Sequence, residues 1–149
     1  MKYTHIEGDN IVIYHKNCND GFGAALVCST ILKKKNTEYH SAVHYSDPPD
    51  VKGKNVFILD FSYKQDIILK MIEDSNSFII IDHHKTAEKE LENIPNEYKI
   101  FDMTKCGAVL TWEYFYDDEI PMFLKYIQDR DLWINEMEDT HLISSGLNE

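Results

Sequence analysis

Three short apolar runs in this chain each end in side chains able to bind a metal. Ile11-Val12-Ile13-Tyr14 runs into His15, Val56-Phe57-Ile58-Leu59 into Asp60, and Phe78-Ile79-Ile80-Ile81 into Asp82-His83-His84. Unbroken apolar runs rich in β-branched residues are the pattern of strands buried on both faces, which parallel sheets provide. Between Leu59 and Phe78 lie 18 residues, room for one crossover helix, so these two strands are expected to be parallel with a right-handed connection. Parallel strands end on the same edge of a sheet, and the crevice beyond that edge is where open α/β sheets bind ligands. The fold predicted over residues 1–149 is a single α/β domain: a mostly parallel β-sheet flanked by helices on both faces, with three strand ends facing one pocket.

The remaining elements fit between these runs. A first strand is predicted over residues 10–14 and a first helix from Gly21 to about Lys35, with Phe22, Ala25, Leu26, Val27 and Ile31 on its apolar face. Lys33, Lys34 and Lys35 then fall in its last turn, a favourable place for positive charge. Gly21 and Gly23 permit a sharp turn and a close backbone approach to a ligand. A weaker strand is read over residues 39–45; on it His40 and His44 would stand about 13 Å apart, so neither is taken as a ligand. Asp47-Pro48-Pro49-Asp50 is a turn. A helix over residues 65–74 carries Ile67, Ile68, Met71 and Ile72 at helical spacing. A short helix over 88–93, a strand over 98–101 and a helix over 106–116 follow. Pro121 opens a helix over 122–128 that runs into Asp129-Arg130-Asp131, and residues 138–147 read as one more helix.

The charge balance narrows the chemistry. With 26 acidic against 15 basic residues the formal net charge is -11, which repels nucleic acid at long range and argues against tight binding to long DNA or RNA. A polyanionic substrate would need local neutralisation, which a bound divalent cation supplies. Cys18, Cys28 and Cys106 form no CxxC pair, so neither a disulfide framework nor a structural zinc site is expected, and a reducing cytoplasm fits. No apolar run approaches the roughly 18 residues of a membrane span, so no membrane association is expected.

The site residues, taken together, resemble the DHH phosphoesterase superfamily. The resemblance rests on His15 followed by Asn19-Asp20-Gly21, on Asp60 closing one strand, on Asp82-His83-His84 closing the next, and on an aspartate at 129 or 131. It covers about residues 12–133. The superfamily includes RecJ-like exonucleases, oligoribonuclease-like enzymes, cyclic-dinucleotide hydrolases and manganese-dependent pyrophosphatases. The resemblance implies two ions, Mn2+ or Mg2+, bridged by Asp60. It implies that His83 ligates one ion and that His15 and Asp20 serve the other. Asp82 would support the site, His84 would contact the scissile phosphate, and Asp129, or else Asp131, would complete the ligands. Cys106-Gly107 stands where the family has a small-residue turn that holds substrate. Carboxylates with a few imidazoles suit manganese or magnesium, and a pair of such ions activates water and clamps the attacking and leaving oxygens.

Two departures bear on activity. The commoner family pattern has two aspartates after the first histidine, whereas His15-Lys16-Asn17-Cys18-Asn19-Asp20 has one. Asn19 acting through its carbonyl, Cys18 in a shifted register, or a poorly filled second site are the alternatives. Family members also commonly carry a C-terminal substrate-binding domain with a Gly-rich motif, which is not found in these 149 residues; the expectation is either a bare catalytic lobe, completed by a second copy (a homo-oligomer) or a partner subunit, or a fragment or reduced version with weak substrate affinity. The expected activity is hydrolysis of phosphodiester bonds in short oligonucleotides or small nucleotide phosphoesters. The alternatives are a pyrophosphatase-like phosphohydrolase and a non-catalytic DHH-fold interaction module.

Overall fold

The computed structural model describes residues 3–131. Its centre is a five-stranded sheet in the order β2-β1-β3-β4-β5, in which every adjacent pair is parallel. The strands are β1 (Asn10–His15), β2 (Thr37–Ala42), β3 (Asn55–Leu59), β4 (Ser77–Asp82) and β5 (Lys99–Phe101). The helices are α1 (Asn19–Ser29), α2 (Gln65–Asp74), α3 (Lys85–Glu90), α4 (Gly107–Phe115) and α5 (Met122–Asp131).

Period-two alternation along the strands builds two cores. Val12, Phe57, Leu59, Ile79 and Ile81 pack on one face with Ala24, Val27 and Cys28 of α1, Val109 and Phe115 of α4, and Leu124 and Ile127 of α5. Ile11, Ile13, Val56, Ile58, Phe78 and Ile80 point the other way, onto Ile68 and Met71 of α2 and onto Leu91 and Ile94. Both faces of β1, β3 and β4 are thereby covered, which is why those runs are continuously apolar in sequence. From β1 the chain steps outward to β2 and then returns to the other side of β1 as β3, so the strand order reverses between β1 and β3. The crevice at that reversal is where doubly wound sheets hold ligands, and it is the carboxyl ends of β1 and β3 that carry His15 and Asp60.

Several element ends differ from expectation. α1 stops at Ser29 rather than continuing to Lys35. The hydroxyls of Ser29 and Thr30 donate to the carbonyls of Leu26 and Val27 at 2.6 and 2.7 Å, competing with the helical ladder, and Lys34 and Lys35 lie in a separate 3-10 turn. The three lysines therefore do not sit at the carboxyl end of α1. β2 ends at Ala42, after which the chain turns and Tyr45 adopts φ 67°. α3 starts at once after His84 rather than at residue 88. α5 extends through Asp131, so both candidate aspartates lie on a helix. The predicted helix over 138–147 lies outside the described residues. Among the described residues no helix is long and apolar enough to cross a membrane.

At the amino end of the sheet sits a closed polar plug. The side chain of Asn55, fully buried, donates to Asn10 Oδ1 and to the carbonyls of Glu7 and Ile6. Its Oδ1 accepts from Asn76 and Ser77 at 2.8 and 2.9 Å. This satisfied network ties β1, β3 and β4 together at the edge opposite the site.

Candidate metal centre

At the carboxyl edge the strands hand their side chains to one cluster. Asp60 immediately follows β3; its amide still pairs with the Ile81 carbonyl at 2.9 Å, but its backbone turns into the left-handed region at φ 55°. Such residues, among which Asp and Asn pay least, cluster at functional sites. Asp82 ends β4, and His83 and His84 follow it before α3 begins.

His83 is the hub. Its Nε2 lies 3.0 Å from Asp60 Oδ1, 3.2 Å from Asp20 Oδ2 and 3.4 Å from Asp131 Oδ2. Burial pulls its pKa down, but hydrogen bonds to Asp20 and Asp60 and their charges outweigh that and hold it at about 11. Burial, with the charge of Asp20 added, pushes Asp60 up to about 8. Asp131 is pushed up to about 6 by burial and then by Asp20. Three carboxylates around one ring nitrogen exceed what one N–H can satisfy, since a single donor serves one good acceptor.

Asp20 is anchored from across the sequence. Its two oxygens accept the backbone N–H groups of Gly107 and Ala108 at 2.8 and 2.7 Å, which are the first amides of α4. Burial raises its pKa, yet the hydrogen bonds from His83 and from those amides leave the net shift downward, in keeping with a carboxylate at a helix amino terminus. The approach is close: a Cβ on Gly107 would stand 3.0 Å from Asp60 Cβ and 3.2 Å from Asp20 Oδ2. On the other side, a Cβ on Gly21 would collide with the His15 carbonyl, so α1 can start against the end of β1 only with glycine there.

Asp82 orients the two histidines that follow it. Its Oδ1 accepts from the His83 amide at 2.8 Å and pairs with His84 Nδ1 at 2.7 Å. Among the described residues its buried Oδ2 has no hydrogen-bond partner. The hydrogen bond to Asp82 raises the His84 pKa despite partial burial, and the side chain, 48% exposed, stands at the rim. His15 Nδ1 lies 4.0 Å from Asp60 Oδ2, and burial, then His44 and His84, lower its pKa.

The predicted site residues are not all placed alike. His15, Asp20, Asp60, Asp82, His83, His84 and Asp131 fall within three neighbouring groups: Asp60-Asp82-His83-His84, His15-Cys18-Asp60 and Asp20-His83-Asp131. Asp129, the first choice for the last ligand, belongs to none of these groups among the described residues. It is buried two positions before Asp131, about 200° around the helix. Cys106 is fully buried, and the Gly107 amide donates to Asp20 Oδ2, so this small-residue turn lies against the cluster. Of the alternatives left open after His15, Cys18 reaches the cluster, and one contributor, His44, had been set aside. Cys18 places Sγ 3.3 Å from Asp60 Oδ2. The ring of His44 packs 5.3 Å from those of His15 and Phe61, and spacing along a strand could not reveal this because the residue lies beyond the end of β2. A cavity of about 220 Å³ adjoins the cluster, lined by Cys18, Asn19, Asp20, Ile127, Arg130 and Asp131.

A family model described as "DHH family, N-terminal domain" matches residues 10–138. The chain belongs to the DHH family. It is 40% identical over 147 residues to an uncharacterized protein of Acanthamoeba polyphaga mimivirus, a match covering 88% of this chain and 35% of that protein. It also resembles the crystal structure of an uncharacterized protein from Helicobacter pylori G27, with a TM-score of 0.74 at 11% identity over 96% of this chain and 49% of the other, a likeness of fold. The chain thus spans about a third of the viral relative and about half of the bacterial chain. DHH membership suggests phosphoesterase-type chemistry, and the family is generally metal-dependent. The cluster fits such ions: the orphaned oxygen of Asp82 and the surplus of carboxylates around His83 are what a bound cation would satisfy. The donors are mostly hard oxygens with imidazoles, a set suited to Mn2+ or Mg2+.

Proposed function

We propose that this DHH domain is a divalent-cation-dependent phosphoesterase, using Mn2+ or Mg2+ to hydrolyse the phosphodiester bonds of short oligonucleotides or small nucleotide phosphoesters. The observation that carries this reading is the convergence of Asp20, Asp60 and Asp131 on His83 Nε2, all within 3.4 Å. Divalent cations, when bound there, supply the charge neutralisation and the water activation that phosphoester hydrolysis needs at neutral pH. The protein's own part is positioning. Asp60 is aimed by its left-handed backbone, and Asp20 is fixed by two amides of α4. Asp82 clamps His84 through Nδ1 and favours its charged form, so that the rim-facing ring can donate to a phosphate oxygen. Arg130 lines the adjoining cavity and adds positive charge for the same group. The net charge of -11 disfavours long polymers and leaves short substrates held locally.

The test is a panel assay with Mn2+ covering di- to pentanucleotides, cyclic dinucleotides, pyrophosphate and bis(p-nitrophenyl) phosphate. Metal-stimulated cleavage of the nucleotide substrates is expected, abolished by Asp60→Ala and by His83→Ala. Full activity in either variant overturns the reading. Release of orthophosphate from pyrophosphate alone would make the protein a pyrophosphatase-like phosphohydrolase, and no turnover with any substrate would favour an interaction module.

A further inference from the structure

The turn between β1 and α1 places a sulfur atom beside the carboxylate of Asp60. Asn17 takes a left-handed conformation, φ 57°, which bends the chain after His15 and sets Cys18 at the amino cap of α1. Cys18 Sγ lies 3.3 Å from Asp60 Oδ2, and His15 Nδ1 lies 4.0 Å from the same oxygen. One donor atom from each of the three residues falls within 4.8 Å of the others. Around a tetrahedral ion with sulfur at about 2.3 Å and nitrogen or oxygen at about 2.0 Å, donor atoms stand roughly 3.3–3.7 Å apart. The triangle is already close to the size of a coordination sphere. A further sign of a cation beside Asp60 comes from Asp82, which shares with it the neighbouring group Asp60-Asp82-His83-His84; the residue is 1% exposed, and among the described residues its Oδ2 has no hydrogen-bond partner.

We propose that Cys18 is a metal ligand, forming with His15 and Asp60 a subsite for a thiophilic divalent cation of the zinc, cobalt or iron(II) class. Asp20, His83 and Asp131 form the neighbouring, oxygen-rich subsite suited to Mn2+ or Mg2+. The inference rests on the cation-centre reading above and adds to it the chemical class of one ion. Thiolate sulfur selects softer first-row ions, whereas magnesium takes oxygen. Binding converts the Cys18 thiol to the thiolate, its proton leaving to solvent. Cys28 and Cys106 are fully buried and belong to none of the donor groups among the described residues; Cys106 does reach Asp20, so loss of the signal in a Cys18 variant is what assigns it to Cys18.

The experiment adds Co2+ to the metal-free protein and to its Cys18→Ser and Cys18→Asp variants, recording the ultraviolet–visible spectrum and the cobalt bound in equilibrium dialysis. Wild type should show an intense sulfur-to-cobalt charge-transfer band. Cys18→Ser, checked for folding by circular dichroism, should lose the band and bind cobalt at that subsite at least about tenfold more weakly. Cys18→Asp should also lose the band while gaining affinity for Mn2+. Cobalt bound by wild type without the band, or a band that survives in Cys18→Ser, overturns the sulfur ligand and leaves the cation centre standing. Failure of wild type to bind either cobalt or manganese overturns both.

Discussion

His83 and Asp60 meet across the carboxyl ends of neighbouring strands, with Nε2 3.0 Å from Oδ1. In the metal-free protein this contact and the burial around it store a pH dependence. The Asp60 carboxyl is raised from 3.8 to about 8 by burial and by Asp20. A group whose folded pKa is raised contributes stability that is fully present below the unfolded value and is lost as pH rises through the folded one. The melting temperature in chelator should therefore fall as pH rises from about 4 through about 8. The same sign holds for His83, from 6.5 through about 11. Saturating Mn2+ should flatten the fall, because a cation replaces the proton as the partner of the carboxylates. Scanning calorimetry with and without the ion checks this, and parallel curves would contradict it.

Asp20→Ala removes the acceptor of two buried amides at the start of α4. Each orphaned N–H costs about 1–3 kcal/mol, offset in part by relief of the crowding among carboxylates. A net loss of about 2–4 kcal/mol is expected in urea unfolding. A stability equal to wild type would mean that water replaces the carboxylate there.

Asp131 and Asp129 separate binding from folding. Asp131 is partly exposed and within 3.4 Å of His83 Nε2, so Asp131→Asn should weaken Mn2+ binding about tenfold or more with little effect on stability. Asp129→Asn should leave the affinity near wild type. Isothermal titration of the two variants decides; the opposite ranking would move the ligand to Asp129.

Asn55→Ala should destabilise the domain by about 2–4 kcal/mol, since its buried side chain satisfies several partners at once. Because it lies at the amino edge of the sheet, Mn2+ affinity per folded molecule should be unchanged. A parallel loss of affinity would show that the two edges are coupled.

The sequence by itself determined the frame. Local patterns of period two and 3.6 are written in consecutive residues, so the buried strands β1, β3 and β4, the bounds of α2 and the placing of His15, Asp60 and Asp82-His83-His84 at strand ends could be read directly. It also marked Asp20 and left Asp129 and Asp131 open. What only the tertiary structure decided were relations between distant parts of the chain. Asp20 is joined to Gly107 across 87 positions and Cys18 to Asp60 across 42. These depend on strand order, on the left-handed turns at Asn17 and Asp60 and on which side of α5 faces the crevice. One residue of difference along a helix turns a side chain through about 100°, so periodicity alone cannot fix which aspartate reaches an atom supplied by another strand. The end of α1 was hidden for a related reason: hydroxyls of Ser29 and Thr30 that compete with the backbone leave no trace in the apolar pattern.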